Sequence, residues 1–251
     1  MNLSMYRREI HHLKIYIISI VAIIALSYSI YLFCSDDTVR NLGHEDGFFE
    51  WMTAVLFLVS SIIFFLTFLR NKNIFILGLA LIFFVGAGEE ISWGQRVLDF
   101  STPESLNKIN AQHEFNIHNL EMFNSNFIDG TKKAGFQRLL EINMLFRIFS
   151  MAFLIFIPLY FYHLKPPLVT NQKIQMPVAP FTMGIFFLIS WAIFYVLKYF
   201  ILPRDDKWGY DLSAGEVFEA TAAFVYFTVA VYFYRNRDNL FLGKDIKTSL
   251  A

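Results

Sequence analysis

WMTAVLFLVSSIIFFLTFLRNKNIFILGLALIFFVGAGEEISWGQR, residues 51–96, decides the fold. It opens on an uncharged apolar run, 51–69, breaks at Arg70-Asn71-Lys72-Asn73 and resumes at Ile74. The second run carries no charge until it meets Glu89 and Glu90. About 20 mostly apolar residues cross ~30 Å of hydrocarbon. The pair therefore reads as a helical hairpin across a membrane, with a basic turn at one face and acids near the other. The same criterion, carried outward, gives six spans at about 15–34, 51–69, 74–92, 139–164, 180–202 and 213–234. The expected fold is all-α: a single polytopic membrane domain over 1–251, with a helical insertion at 93–138 on the outer face. In the insertion, Ser101-Thr102-Pro103-Glu104 reads as a helix start.

Composition agrees. The chain is 56% hydrophobic and only 17% charged, against roughly a quarter charged in soluble domains, which argues against disorder and against an ordinary soluble enzyme. The single cysteine, Cys34, excludes an intramolecular disulfide and a multi-Cys metal site. With zero net charge, nothing points to nucleic acid. That zero is unevenly distributed. With both termini cytoplasmic, the inner segments hold 11 basic residues against three acids, +8, and the remainder is −8. This satisfies the positive-inside rule. The first span, preceded by Arg7, Arg8 and Lys14 and followed by no small-x-small site, reads as an uncleaved signal anchor. The expected location is a bacterial cytoplasmic membrane.

Ionisable residues inside a span are costly and mark functional sites by default. Glu89 and Glu219 each lie 16 residues from an inner boundary (Asn73 and Arg235), about 24 Å up a helix. Glu50 falls at the outer interface and Arg147 slightly below it. Four helices thus bring charge to one level, which predicts one polar cavity facing the periplasm. Glu89 and Glu90 point about 100° apart, near a helix C-terminus where negative charge is disfavoured. A cation, Arg96 or Arg147, or a proton must offset them, unless a buried ion-pair network merely fixes helix register. Glu216 and Glu219 share a helix face, and Ser213-Ala-Gly-Glu216 fits a capping box. Glu45, Asp46 and Glu50 suit a first helical turn.

The outer segment holds Gln112-His113-Glu114-Phe115-Asn116-Ile117-His118-Asn119. On a helix, Glu114 and His118 share a face, while His113 and His118 are about 140° apart, one residue too long for HExxH. In an extended strand, Gln112, Glu114, Asn116 and His118 share a face. The alternative is a solvated loop whose amides cap neighbouring helices. Arg96, Arg138, Arg147 and Lys198 suit a phosphate or carboxylate headgroup.

Gly88-Glu-Glu-Ile-Ser-Trp-Gly-Gln-Arg96 with Asn110-Ala-Gln-His-Glu-Phe-Asn-Ile-His-Asn119 resembles a family of uncharacterised bacterial multi-span membrane proteins, from Gly47 to the sixth span. That resemblance implies no activity. It draws attention to Glu89, Glu90, Trp93, Gln95, Arg96, Gln112, Glu114, Asn116, His118 and Asn119. The chain is also weakly similar to glutamate-type (CAAX-like) intramembrane proteases. It departs from their EExxxR, because Arg96 follows Glu90 by six residues rather than four.

Three functional classes follow. In an enzyme, Glu89, Glu90, Glu219 and His118 are the catalytic set. Glu89, Glu90 and His118 would ligate one divalent metal ion that activates water or a hydroxyl. Without it, paired carboxylates act as base and acid. Arg96, Arg147, Gln95, Gln112, Glu114, Asn116, Asn119 and Glu50 would bind a lipid, lipid-linked or membrane-anchored substrate, by hydrolysis or transfer. A scaffold binding another membrane protein uses the same charges as helix locks. A proton- or cation-coupled transporter needs a path inward, against which stand the lack of repeats and of acids in the inner half of any span.

Overall fold

The computed structural model describes residues 3–44, 46–124, 126–164, 171, 173–201 and 207–237; the side chains of 3–12, 96, 163 and 207–212 lie outside that set. Among the described residues the protein is all-helical, with no strand and two isolated bridges. The helices are α1 (Leu3–Phe33), α2 (Asp36–Leu42), α3 (Phe48–Asn71), α4 (Ile74–Glu90), α5 (Gln95–Leu98), α6 (Glu104–Asn107), α7 (Ile142–Met151), α8 (Ile157–Leu164), α9 (Phe181–Val196) and α10 (Lys207–Arg235). A π-helical turn, Ala152–Phe156, joins α7 to α8, and another, Leu197–Ile201, continues α9.

Five helical stretches are long and apolar enough to cross a membrane: Leu13–Phe33, Phe48–Asn71, Ile142–Tyr162, Phe181–Ile201 and Ser213–Arg235. In hydrocarbon a helix satisfies every backbone N–H and C=O internally, which is why long uncharged runs adopt it. The remaining run, α4, has 17 residues, about 25 Å at 1.5 Å each. Side chains such as Leu26, Val55, Phe65, Leu81 and Phe84 stay exposed around the bundle, forming the apolar girdle of a membrane protein.

Helix α10 is the centre. It packs against α1, α2, α3 and α9. Ala214, Ala220, Ala222, Ala223 and Ala230 are wholly buried along it; such small residues let helices approach closely. Tyr226, also wholly buried, is ringed by Phe83, Phe146, Phe149 and Phe153. Its hydroxyl donates to Ser150 Oγ at 2.7 Å. Tyr28, Ser190 and Thr221 form a second buried hydroxyl network linking α1, α9 and α10 (Tyr28 Oη to Ser190 Oγ 3.1 Å, Ser190 Oγ to Thr221 Oγ1 2.6 Å). At Gly184 on α9, an added Cβ would lie 2.2 Å from Leu154 O, so glycine permits the close crossing with the Ala152–Phe156 turn.

The two ends of the bundle differ. At one, buried Asn73 caps α4 through Oδ1 to the Phe75 and Ile76 N–H groups (3.0 and 3.2 Å), and its Nδ2 donates to Gln175 O at 2.7 Å. The acids gather at the other end. There α10 begins at Lys207, six residues before the expected start, so Glu216 does not lie in a first turn and the capping box at Ser213 is not formed. Ser213 Oγ instead pairs with Tyr31 Oη at 2.9 Å and donates to Val39 O at 3.3 Å, joining α1 and α2 to α10.

The outer segment also differs from expectation. It is not a helical insertion but a series of short turns: α5, α6 and 3-10 turns at Ser92–Gly94, Glu121–Phe123 and Gly135–Leu140. The helix start at Pro103 is present, yet that helix stops after four residues. From Asn110 onward, asparagine side chains take up backbone groups that a helix would have used.

Candidate functional site

Beyond Glu90 the chain leaves α4 through two residues with left-handed backbone, Ser92 (φ 47°) and Trp93 (φ 54°), and then Gly94 (φ 79°). Positive φ costs about 1–3 kcal/mol at a non-glycine residue, so something must hold it. Trp93 folds back over Gly88, where an added Cβ would sit 2.9 Å from the indole ring. The indole Nε1–H then donates to Glu89 Oε1 at 2.6 Å. The other oxygen, Oε2, accepts the backbone N–H of Ile117 (2.6 Å) and of His118 (2.8 Å). His118 Nδ1 lies 3.4 Å from the same oxygen. Buried Glu89 is thus a clasp between the end of a membrane helix and the loop at 117–118.

The loop itself is closed by an antiparallel pair, Ala111 N–H to Asn119 O (2.8 Å) and Glu121 N–H to Ile109 O (2.9 Å). Asn110, Asn116 and Asn119 are buried inside it. Asn110 Oδ1 accepts the N–H groups of Gln112 and Glu114, and its Nδ2 donates to Asn116 O and Oδ1. Glu114 Oε2 accepts from Ser92 Oγ at 2.7 Å and Asn116 Nδ2 at 2.8 Å. Gln95 Oε1 accepts the Phe115 N–H at 2.6 Å, and Asn119 Nδ2 donates to Gln112 Oε1. Gln95, Gln112, Glu114, Asn116 and Asn119, expected to contact substrate, are engaged in shaping this loop. The segment at 113–118 is neither helix nor strand, and His113 has φ 62° with its ring against Asn107 O.

The second part of the site is a cavity of about 210 Å³ between α7, α9 and α10. Asn143 and Arg147 line it from α7, Lys198 from the π turn after α9, and Glu216 and Glu219 from α10. Phe146, Phe194 and Phe218 make its apolar wall. Arg147 rests against the rings of Trp191 and Tyr195 (5.8 and 5.9 Å from guanidinium carbon to centroid), with Nη1 3.4 Å from Tyr195 Oη. It forms no ion pair with a carboxylate among the described residues. Glu219 lies within electrostatic reach of both Arg147 and His118.

Glu90 faces this side of the molecule. The carboxylates of Glu219, Glu216, Glu50 and Glu89 all act on it. A shallow crevice beside it is lined by Asp46, Glu50, Trp51 and Val97. Glu50 accepts the backbone N–H of Asp46, the first-turn role expected of it. Glu45 and the Arg96 side chain lie outside the described residues. Arg138 pairs with Glu141 at 3.3 Å instead of facing the cavity.

No family model, curated protein or solved structure matches this chain. Its chemistry must be read from the geometry. Charged groups from α3, α4, α7 and α10 lie within electrostatic reach of one another, but the acids divide. Glu89 serves the loop, while Glu90, Glu216 and Glu219 form a group near the cavity. The expected metal set of Glu89, Glu90 and His118 is not assembled: among the described residues no group of three His, Cys, Asp or Glu is placed to hold an ion. The physical reason is the ~100° between successive helical side chains, together with three N–H donors already on Glu89. Asn143 was missed in the sequence although it precedes Arg147 by four residues, the spacing that shares a helix face.

Proposed function

We propose that the chain is a membrane-embedded enzyme, a hydrolase or transferase, that receives the charged head of a lipid, lipid-linked or membrane-anchored substrate. The observation that carries this is the cavity: Arg147 and Glu219 reach one space from different helices without pairing, with Glu90 and His118 within electrostatic reach of Glu219. In this reading Arg147 and Lys198 hold an anionic group. Glu219 and Glu90 are the acid–base groups, since paired carboxylates in unlike surroundings separate into acid and base. His118 Nε2 has no hydrogen-bond partner among the described residues. Glu89 acts as a positioning residue, by holding His118.

The topology proposed with it is six spans, α4 included, with both termini cytoplasmic and the cavity facing the periplasm of a bacterial inner membrane. The +8/−8 division of charge supports that orientation. A transporter gains little support, because the aromatic layer around wholly buried Tyr226 lies two turns deeper along α10, where a path would have to run. A scaffold that binds another membrane protein is favoured by one observation: the fastened outer segment exposes Ile109, Ile117, Met122 and Ile128.

The test is to reconstitute the protein in mixed phospholipid vesicles and follow lipid composition by mass spectrometry. Wild type should convert a component, and Glu219→Gln should not, while thermal unfolding shows the variant folded. Equal conversion by both would remove Glu219 from the chemistry. No conversion by wild type, together with a stoichiometric protein partner on purification, would favour the scaffold.

A further inference from the structure

The Glu89 clasp fixes how far the outer segment descends. In the proposed topology Arg70 and Lys72 mark the inner face, and Glu89 stands 16 residues above Asn73, about 24 Å up α4. That level is roughly 6 Å short of the far edge of a ~30 Å hydrocarbon core. Helical side chains lean toward the N-terminus, which directs the carboxylate inward rather than out toward water. The N–H groups of Ile117 and His118 lie 2.6 and 2.8 Å from that carboxylate. The backbone at 117–118 therefore sits below the outer edge of the hydrocarbon. Trp93 reaches deeper still. Its ring lies over Gly88 and 6.1 Å, edge to face, from the ring of Phe84, which stands about 16 Å above Asn73.

The side chains this descent leaves uncovered are apolar. Ile117 is 51% exposed, Val97 68% and Leu98 71%. Val97 borders the crevice with Ile91 and Trp51, at the outer ends of α4 and α3. At the far end of the segment Leu139 and Leu140 are exposed, and the chain runs from them directly into α7 at Ile142. This surface is continuous with the apolar girdle of the spans.

Non-helical backbone is tolerated at hydrocarbon depth only where the protein satisfies its polar groups. The loop meets that condition. The N–H groups of 111–115, 117 and 118 all have acceptors within the protein: Asn119 O, the two oxygens of Asn110, Gln95 Oε1 and Glu89 Oε2. In water the solvent would serve the same groups, and buried asparagines would not be needed for it.

We propose that the outer segment is re-entrant: Ile117, Val97 and Leu98 are seated in the outer leaflet and covered by lipid acyl chains, while the exposed Glu104–Lys108 pair stays in water. The bilayer, not a second protein, covers this face, because the face lies at hydrocarbon depth and continues the girdle. The proposal rests on the topology above, with α4 as a span, and on no chemistry at the cavity.

The experiment is nitroxide accessibility on the full chain, carrying Cys34→Ser, in vesicles of phosphatidylethanolamine and phosphatidylglycerol. Labels are placed at Ile117→Cys and Val97→Cys. Lys108→Cys is the water reference, and Leu81→Cys, an exposed site midway along α4, is the lipid reference. Oxygen enters hydrocarbon and a polar nickel chelate does not, so the oxygen-to-nickel collision ratio at 117 and 97 should exceed that at 108 roughly tenfold and approach that at 81. Thermal unfolding shows that each variant is folded; if Ile117→Cys is not, Leu98→Cys takes its place. A water-like ratio at 117 with a lipid-like ratio at 81 would overturn the proposal and leave the topology standing. A water-like ratio at 81 would remove α4 from the membrane, so that the topology fails and the proposal with it. Shielding of 117 from both reagents would give the face to a protein partner, and would overturn the proposal as well.

Discussion

Replacing Glu89 with glutamine exchanges one carboxylate oxygen for an NH2 group and should release the outer loop. In the native protein the two carboxylate oxygens accept three N–H donors: Trp93 Nε1, Ile117 N and His118 N. Glutamine has one oxygen and one NH2. If the oxygen faces Ile117 and His118, the NH2 meets the Trp93 N–H; if it is turned round, two backbone donors are orphaned. An orphaned buried donor costs about 1–3 kcal/mol, and each remaining bond loses charge assistance worth about 1 kcal/mol. The sum is about 3 kcal/mol at the low end. A tenfold change corresponds to about 1.4 kcal/mol, so the Ile117 and His118 amides should exchange with deuterium roughly 100-fold faster. Exchange in α10 should not change, because the clasp touches none of its buried core. The alternative is that Glu89 does chemistry directly. Glu89→Gln would then abolish activity while loop protection stayed within a few-fold of wild type. That result would refute the clasp.

Gly88→Ala tests the same device from the other side. Its Cβ would press on the Trp93 ring, so the variant should cost about 1–3 kcal/mol and speed exchange at 92–95 more than in α3. Glu90→Gln replaces a carboxyl crowded by four others with a neutral amide and should stabilise the solubilised protein by on the order of 1 kcal/mol in thermal unfolding. A loss of stability there would mean that Glu90 is fastened as Glu89 is. Outside the membrane, the Asp129 carboxyl is held below its usual range by the Thr131 hydroxyl (2.6 Å) and backbone N–H (2.8 Å). A depressed folded value means that the turn's hydrogen bonds persist through the ordinary carboxylate range as pH falls and are lost only below it. Protection of the Thr131 amide should follow that course, and in Asp129→Asn it should be flat with pH.

What the sequence reveals depends on the range of the interactions. Spans are legible because an uncharged run of lipid-crossing length has few alternatives to helix. The 51–69 run falls inside α3, and the expected second-run start at Ile74 is where α4 begins under its Asn73 cap. The acids' depth is legible by counting residues, and so is the divergence of Glu89 from Glu90. The start of α10 is not. Ser213 resembles a cap in sequence, but its hydroxyl is claimed by Tyr31, 182 positions away. The outer loop fails for a similar reason. Asn110 and Asn116 become structural only once Ser92 and Glu89 arrive from α4's end, and no local periodicity announces that. Lys198 was recognisable as a cation, but not its π turn, which sets where it points.

The juxtaposition of Glu89 and Glu90 then has a consequence for how the site works. One helical turn sends one carboxylate to the loop and its neighbour toward Glu219. Because Glu89 holds the backbone of His118, and His118 lies within electrostatic reach of Glu219, opening the clasp moves the imidazole away from Glu219. Glu90 accepts no hydrogen bond among the described residues, lies within electrostatic reach of four other carboxylates, and borders the crevice lined by Asp46, Glu50 and Trp51. A cationic ligand group entering there lowers the cost of crowding five carboxylates, and a closed loop keeps water from screening the exchange. Loop order and ligand occupancy are therefore coupled through one turn of α4. A ligand that neutralises the acids should slow exchange of the Ile117 and His118 amides without touching either residue, and in Glu89→Gln that slowing should disappear even while the ligand remains bound.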